Sequence, residues 1–393
     1  MRVGNKVSAV STPVVGVVGA GQLARMMQQA AIGLGVPLKL LAETTDGSAA
    51  QVIVDTTVGD YTDWDTLSAW AKGAHVVTFD HEHVPTEHLE RLTAAGTACR
   101  PGPAALVHAQ DKAVMRNRLA QMHVAQPRFR FLDPLSVSAG DVSRMAPSLG
   151  GYPVVLKTSR GGYDGKGVWT VADESAAAAV LSQAPQGVQI LAEERVDFRR
   201  ELAALVVRSP SGQVSAYPVV ESVQRDGICV EVTAPAPDLD PELAVQAQQT
   251  AMRIAAELEV EGVLAVEMFE THDGRVLVNE LAMRPHNTGH WSIDGAITSQ
   301  FENHLRAVLD LPLGSPTARA RWTVMVNILG GVGELYDGYP HVQARDPALR
   351  VHLYGKSVRP GRKVGHVTAY GDDLEQVRER AHHAAGWFAG TVR

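Results

Sequence analysis

Paired cysteines, long apolar runs and an excess of positive charge are all missing from this chain of 393 residues. Its two cysteines, Cys99 and Cys229, stand far apart without CxxC or Cys/His ligand spacing. That supports neither a disulfide framework nor a structural zinc site, and a reducing cytoplasm is the simplest compartment. No stretch reaches the roughly 18 to 20 apolar residues that a membrane span needs. Arg2 and Lys6 precede a mostly apolar run from Val7 to Ala24, but Pro13 and three glycines interrupt it. Gln22 and Arg25 then open an amphipathic helix, so the run is not read as a secretory signal. A formal charge of −7 argues against a nucleic-acid partner held by counterion release. Any anion must instead be bound at a local site. Repeats and disordered or fibrous composition are absent as well.

What is present is enough chain for two or three packed cores, since single cores stop growing beyond about 250 to 300 residues. Over the first hundred residues, apolar strand-like runs (Val14 to Val18, Leu38 to Ala42, Val76 to Phe79) alternate with helical segments (Leu23 to Ile32, Trp64 to Ala71). That alternation predicts a parallel sheet with crossover helices. Arg100-Pro101-Gly102-Pro103 punctuates its end. A helix is expected from Ala104 to Leu119. The middle then turns strand-rich, with β expected over Val154 to Lys157, Val168 to Val171, Gln189 to Ala192, Leu202 to Val207, Val263 to Phe269 and Arg275 to Asn279. A helix from Pro241 to Leu258 lies among them. The last segment reads as short strands (Thr323 to Ile328, Val351 to Tyr354, Lys363 to Ala369) and a closing helix from Asp373 to Phe388.

Chemistry concentrates in a few places. Asp273-Gly274 between two apolar runs is a strong hairpin signal. With those two residues as the turn, His272 faces Arg275, and counting outward sets Glu267 opposite Glu280. Opposed Cβ atoms stand about 4.5 to 5.5 Å apart, so two carboxylates among apolar residues repel and lose hydration. A hard divalent cation removes the conflict, and magnesium takes one or two carboxylates together with nucleotide phosphates. The bland alternative is a solvated sheet face with unpaired acids. A second signal, Lys157 followed by Ser159-Arg160-Gly161-Gly162-Tyr163-Asp164-Gly165-Lys166-Gly167, lets backbone amides close over phosphate with two lysines as point charges. GxxxxGK[ST] is absent, and β-branched residues follow, so this is a hairpin tip and not the start of a helix. The first strand ends in Gly19-Ala20-Gly21-Gln22-Leu23-Ala24 with Glu43 about twenty positions on, which fits a dinucleotide fingerprint and equally any phosphate-holding turn. Asn279-Glu280 through Trp291, and Lys356 through His366, add dense polar and basic clusters; a solvated face remains the simple reading of the second.

In this order, GAGQLARM, GGYDGKG, AVEMF with VNE, RPHNTGHW and RPGRKVGH span nearly the whole chain. Together they resemble the N5-carboxyaminoimidazole ribonucleotide synthetases of the ATP-grasp superfamily. The resemblance implies three domains: a Rossmann-like parallel sheet over 1–103, a central ATP-grasp over 104–312 with a lid subdomain near 127–196, and a small β-rich domain over 313–393. It implies an ATP-dependent ligase that carboxylates aminoimidazole ribonucleotide with bicarbonate through carboxyphosphate, as a cytoplasmic homodimer with ATP and Mg2+ and without nucleic-acid or membrane partners. By it, Lys112 and Lys157 contact phosphates, and Gly162 to Val168 form the phosphate flap, with Tyr163, Asp164, Gly165, Lys166 and Gly167 between. Glu193, Glu194, Arg195 and Val196 line the adenine slot partly through backbone groups, with Glu201 on the ribose and Gln224 nearby. Glu267 and Glu280, with Asn279, match the metal and ATP residues. Arg284, His286 and Asn287 match the bicarbonate pocket. Gln22, Leu23, Glu82, Tyr163, Asp164, Lys356, Arg362 and Lys363 hold the ribonucleotide. The chain has Asp80 where the family often has Glu, and Gln224 where it has His. Bicarbonate is a poor electrophile, so such an enzyme must activate it by phosphoryl transfer, positioning the groups and neutralising the spreading charge. Three rivals stay open: a formate-using glycinamide ribonucleotide transformylase, a nicotinamide-dependent dehydrogenase, and a nucleotide-binding regulator without turnover.

Overall fold

The computed structural model describes residues 12–132, 138–162, 166–185, 187–331 and 334–392. Their strands form three sheets of five, four and nine strands. Within the first, Val15–Val18 pairs in parallel with both Leu38–Ala42 and Val76–Phe79, and Asp55–Val58 and Ala98–Cys99 complete the edges. Both faces are covered, which explains why Val15–Val18 is buried throughout and reads as a continuous apolar run. Val15 and Val17 pack toward the helix Gln22–Leu34, while Val18 packs toward Leu67, Trp70 and Leu89 of the helices opposite.

The expected helix over 104–119 is two helices, Pro103–Gln110 and Lys112–Gln121. Asp111 breaks the run in extended conformation, and its side chain caps the second helix by accepting from the amides of Ala113 at 2.9 Å and Val114 at 3.3 Å. Such a cap is worth about 1 kcal/mol. It also sets Lys112 on the first helical turn, where its amide donates to Ser159 O at 2.8 Å.

A four-stranded antiparallel sheet follows in the order Phe129–Leu132, Ile190–Glu194, Val154–Thr158, Val168–Val171, with its own core beneath the helices Ala139–Met145 and Glu174–Gln183. Lys157 pairs with Val168, so the glycine loop is a hairpin tip, as its composition predicts. Gly167 has φ +71°, and an added Cβ would lie 2.6 Å from Thr158 Oγ1, so the return of the loop requires glycine.

The largest sheet runs Val276–Ala282, Gly262–Thr271, Phe198–Arg208, Val220–Arg225, Ile228–Ala234, Trp322–Leu329, Lys363–Gly371, Arg350–Leu353, with the ninth strand, Val214–Ala216, paired to Phe198–Arg208. Strands of the last segment thus extend the central sheet through the pairing of Thr233 with Val324. The closing helix Leu374–Ala389 covers the extension and buries Val377, Ala381, Ala384 and Phe388. No helix among the described residues is long and apolar enough to cross a membrane.

Candidate active site

A cavity of about 820 Å3 opens where the three sheets meet, and most of the predicted site residues line it. Its floor is the hairpin Gly262–Thr271 with Val276–Ala282. Glu267 pairs with Glu280, yet the register that joins them is not the simple one. Thr271 N donates to Arg275 O at 2.9 Å, so the turn holds three residues and shifts the pairing by one: Glu270 opposes Val276 and Met268 opposes Val278. A bulge at Asn279 then takes up the extra residue and restores Glu267 to Glu280. The bulge turns Asn279 and Glu280, successive residues, both toward the cavity.

Arg116, fully buried on the helix Lys112–Gln121, holds that bulge. Its guanidinium donates to Val278 O and Asn279 O, each at 2.9 Å, and through Nε to Glu193 Oε1 at 2.7 Å. Glu193 Oε2 accepts from Lys157 Nζ at 2.7 Å, and the same ammonium donates to Asn279 Oδ1 at 3.0 Å. Burial pushes the Glu193 carboxyl up, but the charges of Arg116 and Lys157 outweigh it and hold it down at about 2. Glu280 is half-buried, and Lys112, donating to its Oε1 at 2.8 Å, keeps it below the ordinary carboxyl value. Glu267 lacks such a partner. Burial, and then the charges of Glu280 and Glu201, raise it to about 8, and burial raises Glu201 to about 7. The predicted conflict between the opposed acids is therefore present, and it falls on Glu267.

The loop beyond the hairpin carries Arg284, whose Nε donates to Glu82 Oε2 at 2.8 Å and so ties it to the amino-terminal domain. His286 accepts at Nδ1 from the Thr288 amide at 3.4 Å, and its Nε2 stands 3.5 Å from Glu267 Oε1. Burial, followed by Arg284 and Lys363, drives its pKa well below 6.5, so the ring is neutral. Both polar atoms of the Asn287 carboxamide are buried without a hydrogen-bond partner among the described residues. Such atoms inside a polar cavity are provision for a ligand.

Of the predicted nucleotide residues, Gly162, Val168, Glu193, Glu194, Arg195, Val196, Glu201 and Gln224 line the cavity. Glu193 is engaged with Arg116 and Lys157, and Glu194 with Arg128 Nε at 2.6 Å, so neither carboxylate is free. Gln224 donates to Ser222 Oγ at 3.0 Å. Tyr163, Asp164 and Gly165 lie outside the described residues, and Lys166 and Gly167 stand on the return of the loop without lining the cavity. Of the predicted ribonucleotide residues, Gln22, Leu23, Glu82 and Lys363 line the cavity, and Lys356 reaches it by donating to Gln22 Oε1. Arg362 is turned aside, donating to Ser357 O at 3.2 Å and to its Oγ at 2.6 Å.

The dinucleotide-like turn is already filled by protein. Asp80 Oδ2 accepts from Gly21 N at 2.8 Å and Oδ1 from Ala24 N at 2.7 Å, so two amides that would cradle a pyrophosphate are capped by a carboxylate. A Cβ on Gly21 would lie 2.1 Å from that carboxylate. Glu43, in the position of a ribose-binding acid, stands 3.3 Å from His81. The sequence reading noted Asp80 without giving it a role and passed over Arg116. The strand-end position of Asp80 was a usable signal; Arg116, one basic residue in KAVMRNRLAQ, carried none.

A glycine hairpin facing opposed glutamates across a deep cleft between two sheets, with lysines on both walls, defines an ATP-grasp ligase. Comparison with known proteins carries this further. The ATP-grasp domain family matches residues 117–301, the ribonucleotide synthetase preATP-grasp domain 13–110, and the phosphoribosylaminoimidazole carboxylase C-terminal domain 323–380. The N5-carboxyaminoimidazole ribonucleotide synthase of Mycobacterium leprae is 54% identical over 99% of this chain and 92% of its own, and that of Corynebacterium ammoniagenes is 51% identical over 97% and 93%. Among solved structures, an ADP complex of N5-carboxyaminoimidazole ribonucleotide synthetase superposes with a TM-score of 0.87 at 34% identity, covering 96% of this chain and 97% of that one. The Aspergillus clavatus enzyme in complex with ADP and 5-aminoimidazole ribonucleotide superposes with a TM-score of 0.84 at 30% identity, covering 96% and 98%. The chain belongs to the N5-carboxyaminoimidazole ribonucleotide synthase family, ATP-grasp ligases of purine biosynthesis.

Proposed function

We propose that this cavity joins bicarbonate to the 5-amino group of aminoimidazole ribonucleotide at the expense of ATP, releasing ADP and phosphate by way of carboxyphosphate. The observation that carries the reading is the pair Glu267 and Glu280, opposed on the cavity floor with lysines on one side and Arg284 with His286 on the other. Lys112 and Lys157 take the nucleotide phosphates, Glu201 the ribose, and the backbone of Glu193 to Val196 the adenine. Arg284 and the unpartnered Asn287 amide hold bicarbonate and then the acyl phosphate beside the neutral His286 ring, which orients it. The amine arrives from the side of Gln22, Glu82, Lys356 and Lys363. Opposed acids, with burial and mutual repulsion raising Glu267 to about 8 without a cation, form a donor set that a magnesium ion would complete by displacing that proton, so Glu267 and Glu280 fit it, with Asn279 adjacent. Bound there, Mg2+ supplies neutralisation of the phosphate charge. We place the reaction in the cytoplasm, in keeping with free, buried Cys99 and Cys229, and expect a homodimer from the family resemblance.

Glu280→Gln keeps the size of the side chain and removes its charge. It is expected to abolish ADP release while leaving the circular dichroism spectrum unchanged. Retained ADP release that depends on bicarbonate and ribonucleotide removes the assignment of Glu280, and release from the unmodified protein driven by formate in place of bicarbonate removes the substrate assignment.

A further inference from the structure

The segment Arg284 to His290 is irregular apart from a short turn at Asn287–Gly289, so its own backbone does not hold it. Gln300 does. This residue is fully buried at the first position of the helix Gln300–Val308. Its Oε1 accepts from His286 N at 2.9 Å, while its Nε2 donates to His286 O at 2.7 Å and to His290 Nδ1 at 3.0 Å. The orientation of the carboxamide is unambiguous, because a backbone N–H only donates and a carbonyl only accepts. Gln300 Nε2 has no capacity to accept, so Nδ1 of the neutral His290 ring is assigned as acceptor and its proton to Nε2, an atom without a partner among the described residues. Ser292 Oγ accepts from Gln300 N at 2.9 Å and donates to Gly289 O at 2.6 Å, closing a second link. Gly289 leaves the room: a Cβ there would lie 2.4 Å from Gln300 Oε1.

The helix that carries this clamp is itself anchored to both the amino-terminal sheet and the central sheet. Phe301, Leu305 and Val308 join the core of Val15, Val17 and Met27. His304 bonds Thr78 Oγ1 at 2.8 Å and accepts from Val263 N at 3.1 Å.

We infer that Gln300 is a positioning residue for the carboxylation step: its carboxamide grips the His286 backbone from both sides and so fixes the face formed by Arg284, His286 and Asn287 relative to the amino-terminal sheet. This rests on the function proposed above. Gln300→Met keeps the length and removes all three bonds. The bicarbonate KM is expected to rise about tenfold or more, with the ATP KM within about twofold, because a misplaced anion face loses near-attack geometry while the nucleotide walls are untouched. More ADP is also expected per molecule carboxylated, because the acyl phosphate is poorly held. Unchanged bicarbonate KM and coupling in a folded variant overturn the inference, as does an equal rise in all three substrate KM values. Should Gln300→Met not fold, Gln300→Glu keeps the acceptor for His286 N and is read by the same criteria. The unmodified protein gives an independent reading: 15N spectra must find the His290 proton on Nε2, and a proton on Nδ1 overturns the clamp. If the unmodified protein fails to consume bicarbonate with the ribonucleotide, the proposed function falls first, and the histidine spectrum still judges the clamp.

Discussion

Arg116 never touches the cavity, yet its replacement is expected to damage both stability and catalysis by separable amounts. In Arg116→Met, Glu193 keeps only Lys157, and the carbonyls of Val278 and Asn279 lose their donor. Breaking a buried pair by removing one partner costs about 3 to 5 kcal/mol. A second route gives a similar figure: a carboxyl whose pKa falls from an ordinary 4.5 to about 2 on folding contributes about 3 kcal/mol. The folded value is the depressed one, so this contribution is present above pH 4.5 and is lost as the pH falls toward 2. Against a total of about 5 to 15 kcal/mol, that is a large fraction. Urea unfolding at pH 7 and at pH 3 measures it, and the gap between Arg116→Met and the unmodified protein should narrow at the lower pH. Arg116→Met with Glu193→Met replaces that ion pair by apolar groups and should recover part of the stability, since Lys157 loses Glu193 and the carbonyls of Val278 and Asn279 still lack their donor. The ATP KM should be high in both variants, because the bulge at Asn279 lacks its clamp in each and Lys157 also loses Glu193 in the double one. A loss below about 1 kcal/mol for the single variant, typical of an exposed pair, refutes the reasoning. So does a double variant no more stable than the single one.

Glu267→Gln should separate stability from function in the opposite sense. Folding raises the pKa of this carboxyl from 4.5 to about 8, so its contribution is full below 4.5 and disappears as the pH approaches 8. Without ligands the variant should gain on the unmodified protein in urea midpoint between pH 5 and pH 8 while losing ADP release, and parallel pH curves would count against it. Asp80→Asn presents an amide group to one of the two backbone donors at Gly21 and Ala24. It should cost about 1 to 2 kcal/mol by calorimetry and raise the ribonucleotide KM several-fold with the ATP KM unmoved; an unchanged ribonucleotide KM would detach the Gly19 to Ala24 turn from that substrate.

Strands and helices with both faces or one stripe buried were legible because burial writes itself into apolar spacing: Leu38–Ala42, Trp64–Ala71, Val76–Phe79 and Val168–Val171 fold over the residues that pattern marks. Asp111 was legible in principle as a cap, but the apolar run from Ala104 continues past it and masked the break. The opposition of Glu267 and Glu280 emerged from a count that assumed a two-residue turn. The real turn is one residue longer and the bulge at Asn279 takes up the difference, so two departures cancel at the pair that matters. Nothing in VLVNELA announces a bulge, because what makes it is Arg116, more than 160 residues earlier. Long-range clamps of this kind, Gln300 included, leave no periodic trace.

Lys112, Lys157 and Arg284, three cations of the cavity, are each engaged, and the partner of each decides what it can do. Lys157 shares Glu193 with Arg116, so when a phosphate draws the ammonium away, the buried carboxylate keeps a guanidinium at 2.7 Å. Lys157 is thus free to move at small electrostatic cost. Lys112 differs. Withdrawing it from Glu280 leaves that carboxylate opposite Glu267, in a site where burial already drives one of the two to hold a proton. Such a withdrawal is tolerable only if Glu267 stays protonated or if positive charge arrives together with the nucleotide. On the proposed reading, in which both lysines face phosphate, they therefore do unlike work: one answers to the anion alone, and the other couples the anion to whatever cation accompanies it.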